Sequence, residues 1–445
     1  MADLVVMPAT APLEGVVPSP PDRATCELAA LLGALGPAGA TSRILGRGMP
    51  PLRAEAVLGA LGVTVTRSDD AVAITAVGLS GLRAPAEPVD LGRQSWLMAA
   101  LSGVLAAASF PSTLTGDPDV MAGCMADVAR ALRGRGAQIE GQLDPKRVGE
   151  LRPPITISPA TSPLSPLQYD PATYAGKVAA LASGLFATGE TLVHEPVASG
   201  DRFERLLDAL GIRIQSAGAI LRSRPMLEGP SPFEQAAPGD SEGALALLAA
   251  GLLVPDSRVG VRAVAAGPTR RGALEALEHA GASLHVAPRP SLLGEATADV
   301  TLAATSPPLG LRFGGERAAC AGASLPILVA LGVGCSPSRP TQLFDVPPSL
   351  EHPERAAGTL ELLERFGVEA VVTDEGLAIA GRGREPLRAA EIDSRGDPAV
   401  AMAATVLALR AEGPCRIRAA HAIVESFPRF VGSLRALGAS ITVEE

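Results

Sequence analysis

The segment "EHPER" at 351–355 brings an acid, an imidazole and a guanidinium group together within five residues. Imidazole titrates near neutral pH and the pKa of a half-buried carboxyl can be raised toward it, so His352 and Glu351 are candidates for proton transfer. Arg355 can bind a carboxylate through two parallel hydrogen bonds. The alternative interpretation is a solvated helix start whose acidic residues cap the helix.

Two other segments place an arginine at a predicted helix start. "PPDRAT" contains Asp22 and Arg23, and "DLGRQSW" contains Arg93, Gln94 and Trp96, the single tryptophan. A cation at a helix N-terminus is opposed by the helix dipole, which favours an anion-binding role for Arg93. Asp22 and Arg23 keep two interpretations, helix capping or substrate binding.

Four further polar residues are candidates with weaker signals. Tyr174 and Lys177 lie at the start of a predicted helix, and Arg202 lies in "GDRFERLL", where capping and ion pairing explain the acids equally well. Glu425, in "VESFPRF", is either a surface charge or a base.

Composition limits the classes of protein that these residues can serve. Hydrophobic residues make up 47% of 445 residues and aromatic residues only 3%, so the core is predicted to consist of Ala, Leu and Val. The net charge of -9, with no basic block, argues against a nucleic-acid partner. Five scattered cysteines indicate reduced thiols, and no signal peptide or membrane span is expected, so we predict a cytoplasmic protein.

One phrase recurs six times and predicts the fold. An apolar helix ends at a glycine and an alternating strand follows; the glycines are Gly62, Gly136, Gly211, Gly281, Gly367 and Gly438. They are spaced 70 to 86 residues apart, and each suits a left-handed helix end. The near-continuous apolar runs "KVAALASGLFA" and "ALALLAAGLLV" predict helices that are buried on every side.

A Pro/Gly-rich stretch at 222–240 predicts a crossing between two domains. We expect one lobe at 21–236 with repeats one to three, and another formed by 1–20 and 237–445 with repeats four to six.

Several segments, in this order, resemble the 5-enolpyruvylshikimate-3-phosphate (EPSP) synthase family of enolpyruvyl transferases. They are "PPDRATCELAALLGAL", "DLGRQSWLMAALSGVLA", "PGDSEGALALLAAGLL", "HPERAAGTLELLERFGV" and "GDPAVAMAATVLALRAEG". The resemblance implies an α/β fold, a two-lobed inside-out α/β barrel of six βαβαββ repeats with helices inside and sheets outside.

The resemblance also implies a divergent member that lacks most catalytic and phosphate-binding residues. Family cations and a catalytic acid are replaced at Arg23 (Lys), Leu28 (Arg), Gly123 (Arg), Ala323 (Asp), Pro398 and Ala399 (His-Arg) and Glu425 (Lys), while Glu351 and His352 replace a Lys-Glu pair and Arg355 is kept. A charge-assisted contact is worth roughly 1.5–3 kcal/mol, so losing several opposes phosphate binding.

We therefore expect an enzyme with altered chemistry, a dehydratase (lyase) that eliminates water from a shikimate-like cyclic carboxylate, free or as a CoA thioester, in a specialised biosynthetic pathway. A genuine carboxyvinyl transferase, using phosphoenolpyruvate with shikimate-3-phosphate or another hydroxyl acceptor, and a non-catalytic paralogue are the alternatives. The predicted catalytic residues are His352, Glu351 and Glu425; the predicted substrate-binding residues are Asp22, Arg23, Arg93, Gln94, Trp96, Tyr174, Arg202 and Arg355. We expect no metal, cofactor, nucleic-acid or membrane partner, and the oligomeric state stays open.

Overall fold

The fold is seen in a computed structural model that describes residues 2–121, 123–145, 148–196, 199–315, 317–318, 325–345, 353–374, 376–427 and 429–444. The chain divides into two compact units. Unit 1 contains Met1–Asp22, Pro238–Ser291 and Glu295–Glu445, and unit 2 contains Arg23–Ala237 and Leu292–Gly294.

Helices and strands are interspersed throughout the described parts of the chain. Up to residue 237 they are β1 (Asp3–Val6), β2 (Glu14–Pro18), α1 (Arg23–Ala34), β3 (Thr41–Leu45), α2 (Arg53–Ala60), β4 (Thr64–Arg67), β5 (Ala71–Thr75), α3 (Gly78–Gly81), β6 (Val89–Asp90), α4 (Ser95–Leu105), β7 (Ser112–Thr115), α5 (Pro118–Met121), α6 (Met125–Gly134), β8 (Gln138–Leu143), β9 (Leu151–Ser158), β10 (Leu167–Tyr169), α7 (Tyr174–Gly184), β11 (Thr191–His194), α8 (Arg202–Ala209), β12 (Ile214–Ala217), β13 (Ile220–Ser223) and β14 (Glu234–Ala236).

The remaining elements are likewise a mixture of helices and strands. They are α9 (Ser241–Leu253), β15 (Arg258–Ala265), a 3-10 turn (Pro268–Arg270), α10 (Gly272–His279), β16 (Ser283–Leu292), β17 (Glu295–Ala303), β18 (Arg312–Gly314), α11 (Leu325–Gly334), β19 (Thr341–Phe344), α12 (Pro353–Arg365), β20 (Ala370–Thr373), β21 (Gly376–Ile379), β22 (Glu391–Asp393), α13 (Pro398–Ala408), β23 (Cys415–Arg418), α14 (His421–Ser426), α15 (Phe430–Ala436) and β24 (Ile441–Glu444).

The strands form mixed four-stranded sheets, three in each unit. In unit 2 the strand orders are β14-β3-β5-β4, β6-β7-β9-β8 and β10-β11-β13-β12, and in unit 1 they are β2-β15-β17-β16, β18-β19-β21-β20 and β22-β23-β1-β24. Each order begins with a parallel pair and continues with an antiparallel one, for example β10 with β11 and then β11 with β13. This pattern confirms the predicted α/β fold of six repeats.

The word barrel in the predicted fold class is wrong. Every sheet of the described residues ends in two edge strands that pair on one side only, so none closes on itself. Closure would require a strand to pair with both neighbours all around a ring; here the unit of construction is a small open sheet covered by helices.

Helices at the centre of each unit form its core. In unit 2, α1 and α7 each pack against α4, and in unit 1, α9, α11 and α13 pack against one another. Every residue of α11 is buried, as are Ala175–Gly184 in α7 and Gly243–Leu253 in α9. The prediction of helices buried on every side is confirmed, because a helix enclosed by other elements needs no polar face.

The six repeat glycines have the backbone that the sequence predicts. Their φ angles run from 71° at Gly367 to 109° at Gly438, a region that other residues rarely adopt. These glycines let the chain turn out of each helix and enter the strand that follows. None of the described helices combines the length and apolar composition that a membrane span requires.

Candidate functional site

The predicted site segment "DLGRQSW" lies at the start of α4, at a helix start as the sequence predicts. Gln94 is the residue immediately before the helix and Trp96 lies in its first turn. Arg93 is largely exposed, and its Nη1 lies 2.6 Å from Oδ2 of Asp117. The Asp117 carboxylate of the protein itself therefore neutralises the Arg93 charge. A bound anion would compete with Asp117 for the Arg93 guanidinium.

Trp96 lies beside two other predicted residues, Tyr174 and Arg202. The Trp96 and Tyr174 ring centroids are 5.3 Å apart at 83°, an edge-to-face contact. The guanidinium carbon of Arg202 lies 4.2 Å from the centre of the Trp96 ring, and Arg202 is buried. The starts of α4, α7 and α8 thus supply an aromatic and cationic cluster, which we call the tryptophan cluster (Trp96, Tyr174, Arg202).

Lys177 lies beneath the tryptophan cluster and is fully buried. Its Nζ is 2.8 Å from Oε2 of Glu195, 2.7 Å from Oε1 of Glu204 and 5.1 Å from the Tyr174 ring centre. Burial raises the pKa of Glu204 and the Lys177 charge opposes that rise. The Tyr174 hydroxyl accepts the backbone N–H of Phe203 at 2.8 Å, which fixes the start of α8.

A carboxylate that the sequence analysis missed occupies the N-terminus of α7. Oδ2 of Asp127, from α6, accepts the backbone N–H groups of Ala172 and Thr173 at 3.0 and 2.8 Å and the Thr173 hydroxyl at 2.9 Å. A side chain at Gly176 would overlap this carboxylate. Helix N-termini attract anions, and here the anion is part of the protein. In the sequence Asp127 reads only as an acid in the first turn of an amphipathic helix.

Arg23, the first residue of α1, is also matched by an internal acid. Its Nε lies 3.1 Å from Oε1 of Glu27, which is buried. Glu27 also accepts the backbone N–H groups of Arg53 and Ala54 at 2.8 and 2.6 Å, and so caps α2. Burial raises the pKa of Glu27, while these hydrogen bonds and Arg23 oppose that rise.

In unit 1, Arg355 lies in the first turn of α12 and forms an ion pair with Asp397. The Nε to Oδ2 distance is 2.8 Å, and both side chains are mostly buried. Asp397 also accepts the N–H groups of Ala399 and Val400 at 2.9 and 3.0 Å, which caps α13. The Asp397 carboxylate therefore both caps α13 and neutralises the Arg355 charge.

Two acids at the start of α9 share this part of unit 1. Asp240 caps α9 through the N–H of Gly243 at 2.8 Å, and Glu242 lies in the first turn. Burial raises the pKa of Glu242 to about 7; the Arg355 charge opposes that rise and the Asp397 charge adds to it. Burial, followed by the charges of Asp22 and Glu242, raises the pKa of Asp240 well above its usual range. Both acids lie in "PGDSEG" at 238–243, a segment that the sequence analysis used only for the family resemblance.

Asp22 is buried within unit 1 and paired with Arg270. Nη2 of Arg270 lies 3.2 Å from Oδ2 of Asp22 and 3.8 Å from Oε1 of Glu295. The Asp22 backbone N–H donates to the carbonyl of Pro238 at 2.8 Å. The residue joins two distant segments of unit 1.

The proton-transfer roles predicted for Glu351, His352 and Glu425 stay predictions. Glu351 and His352 lie outside the described residues, as does Ala323; Glu425 lies in α14, but its side chain is outside the described part. The roles of the eight substrate-binding candidates also stay predictions. Within the described ranges, no group of three His, Cys, Asp or Glu side chains is arranged to hold a metal ion.

Comparisons with known proteins define the class to which this fold belongs. The structure is similar over its full length to EPSP synthase from Acinetobacter baumannii, with a TM-score of 0.86, 26% identity and 100% of both chains covered. It also shares its fold with the enolpyruvyl transferase NikO from Streptomyces tendae, with a TM-score of 0.74, 16% identity and 99% of both chains covered. The fold is that of the enolpyruvyl transferases.

The sequence comparisons narrow this class to one family. A profile of EPSP synthase (3-phosphoshikimate 1-carboxyvinyltransferase) matches residues 7–434. The 3-phosphoshikimate 1-carboxyvinyltransferases of Shouchella clausii and Synechococcus sp. are 31% and 32% identical, and each alignment covers 96% of this chain and 96% or 97% of the relative. The chain belongs to the EPSP synthase family.

Proposed function

We propose that the protein transfers the carboxyvinyl group of phosphoenolpyruvate to a hydroxyl group of a shikimate-like cyclic carboxylate that carries no phosphate. The near-full-length likeness to relatives named as carboxyvinyltransferases supports the reaction type. The likeness favours carboxyvinyl transfer, which the sequence analysis gave as an alternative, and does not favour the dehydratase reaction.

The observation that carries the choice of acceptor is the pairing of the remaining arginines. Arg23, Arg93 and Arg355 each lie within 3.1 Å of an internal carboxylate oxygen. Asp127 also occupies the N-terminus of α7. Beyond the phosphate of phosphoenolpyruvate, a second phosphate would have to displace one of these acids within its own unit or lie beside it, so an acceptor with one carboxylate and several hydroxyl groups suits these arginines better.

Carboxyvinyl transfer requires a group that gives and takes a proton. In the addition step, the acceptor oxygen bonds to C2 of phosphoenolpyruvate while a proton adds to C3. In the elimination step, C3 loses a proton and the bond between C2 and the phosphate oxygen breaks. Phosphate leaves together with the proton of the acceptor hydroxyl. Glu242 suits the C3 proton because a carboxyl with a pKa of about 7 is populated in both forms near neutral pH. Arg355, paired with Asp397, suits the carboxylate of phosphoenolpyruvate.

The test supplies the full chain with phosphoenolpyruvate and either shikimate or shikimate-3-phosphate. Phosphate release and the mass of the carboxyvinyl ether are measured. We expect product from shikimate and little from shikimate-3-phosphate. Glu242→Gln should lower turnover by roughly 10²–10⁴-fold, the range for a general acid or base, while Glu364→Gln, an exposed change on α12, should not. Faster reaction of shikimate-3-phosphate would contradict the choice of acceptor, and no product from either would contradict the transfer.

Elimination of water is the second candidate, because the same acid and arginine could serve it. Glu242 would donate the proton to a departing hydroxyl and Arg355 would bind the ring carboxylate. His352, Glu351 and Glu425 remain candidates for the base. The measurement is a loss of water from shikimate, its dihydro analogues or its CoA thioester, without phosphoenolpyruvate. If neither product forms and neither ligand binds, a non-catalytic paralogue is the better account.

A further inference from the structure

Unit 2 contains two neighbouring cavities that share the segment 225–229. One has a volume of about 500 Å³ and the other of about 380 Å³. Both volumes lie in the range of small-molecule sites. None of the residues that line them is among the candidate site residues described above.

The larger cavity carries an excess of positive charge. Arg213, Arg222 and Arg224 line it, from the β12–β13 hairpin and the residues that flank it. Nε of Arg222 and Nε of Arg224 lie 3.7 and 3.0 Å from the two carboxylate oxygens of Glu190, so one acid is shared by two cations. Arg213 forms no ion pair with any residue that the structure describes. Glu228 is the one carboxylate among the lining residues, which leaves the site cationic.

Apolar surface adjoins these arginines. Leu227 is fully exposed, an unusual state for a leucine, and it lines both cavities together with Met226. Leu35, Leu185 and Phe186 line the smaller cavity. A ligand with an anionic head at the arginines would therefore place an apolar body on Leu227 and Met226.

We propose that this cleft, formed by Arg213, Arg222, Arg224, Met226 and Leu227, binds a phosphate monoester of an apolar alcohol at a site separate from that of the transfer reaction. A phosphate group offers three terminal oxygens and close to two negative charges, which match three guanidinium groups better than the two oxygens of one carboxylate do. Bidentate guanidinium–phosphate bonds fix the head group, and burial of Leu227 favours the apolar ester.

The test titrates phenyl phosphate into the full-length protein by calorimetry. We expect one site whose affinity falls at least tenfold in R213Q/R224Q. The matched control is R271Q/R289Q, which removes two exposed arginines from unit 1. Equal weakening in both double variants would show a general charge effect and overturn the proposal, as would no detectable binding to the wild type.

Two single variants sharpen the test. Glu190→Gln releases Arg222 and Arg224 from their shared acid and should tighten phenyl phosphate binding. Leu227→Ser should weaken phenyl phosphate more than inorganic phosphate, because only the ester has an apolar body. If E190Q weakens binding, or L227S affects both probes equally, the cleft is not the site. Binding that survives R213Q/R224Q would place the phosphate elsewhere, including at the transfer site, and would also contradict the proposal.

Discussion

The buried carboxylates of unit 2 and those of unit 1 are compensated in different ways. In unit 2, Glu204 shares the buried Lys177, and Asp127 accepts backbone and hydroxyl hydrogen bonds. In unit 1, the Glu242 charge helps to raise the pKa of Asp240 and the Asp397 charge helps to raise that of Glu242, with Arg355 as the counterion of Asp397. A carboxylate that has its own cation or several hydrogen-bond donors holds structure, whereas one crowded by other carboxylates can hold a proton that it exchanges.

The largest expected effect comes from removing Lys177, the buried cation that neutralises Glu195 and Glu204 in unit 2. Lys177→Met should lower the free energy of unfolding by about 3–5 kcal/mol, because it leaves Glu195 and Glu204 buried without their cation. Urea denaturation measures the loss. Arg271→Met, which removes an exposed cation, is the control and should change stability by less than about 0.5 kcal/mol. Equal losses in the two variants would contradict the claim that Lys177 stabilises the fold by neutralising Glu195 and Glu204.

The next effect tests whether unit 1 holds an exchangeable proton. The folded-state pKa of Glu242 is about 7, against 4.5 for the free group. Between these values the folded protein keeps a proton that the unfolded chain has released, so its stability falls as pH rises, by up to about 3 kcal/mol in all. Urea denaturation at pH 5 and 7.5 should show this fall in the wild type and a smaller one in E242Q. Parallel pH profiles of the two proteins would refute the assignment.

A smaller loss is expected when Asp127 is neutralised. Asp127→Asn keeps the size of the side chain but weakens the bonds from the Ala172 and Thr173 N–H groups, at a cost of about 2 kcal/mol. Thermal unfolding measures it, and Asp208→Asn, at an exposed position of α8, is the control. If anions such as sulfate then stabilise D127N but not the wild type, the N-terminus of α7 is confirmed as an anion position that the protein itself fills.

The smallest change in stability is expected at Arg93. Its ion pair with Asp117 is exposed, so Arg93→Gln should alter the free energy of unfolding by less than about 1 kcal/mol. A substrate-binding role predicts instead a raised KM at unchanged kcat. A change in neither quantity would leave Arg93 as a solvated surface charge.

Local features of the sequence predicted the fold well. The helix-ending glycines, the apolar helices and the sixfold spacing depend on neighbouring residues, and the structure confirms them. The site depends on pairs far apart in the chain: Arg355 meets Asp397 across 42 residues and Asp127 meets Thr173 across 46. No local pattern indicates which acid will oppose which arginine, so Asp127, Glu242 and Glu27 were missed.

Strand β1 has a consequence for the order in which the two units are completed during synthesis. Residues 4–6 pair with 415–417 on one side and residues 3–6 pair with 441–444 on the other, whereas the last strand that unit 2 needs, β14, ends at Ala236. At 5–20 residues per second, a ribosome needs roughly 10–40 s to make the intervening 200 or so residues. During that interval unit 2 can close, while β1 remains unpaired on the nascent chain. An open strand edge invites misassociation, so we expect β1 to be the segment that chaperones protect.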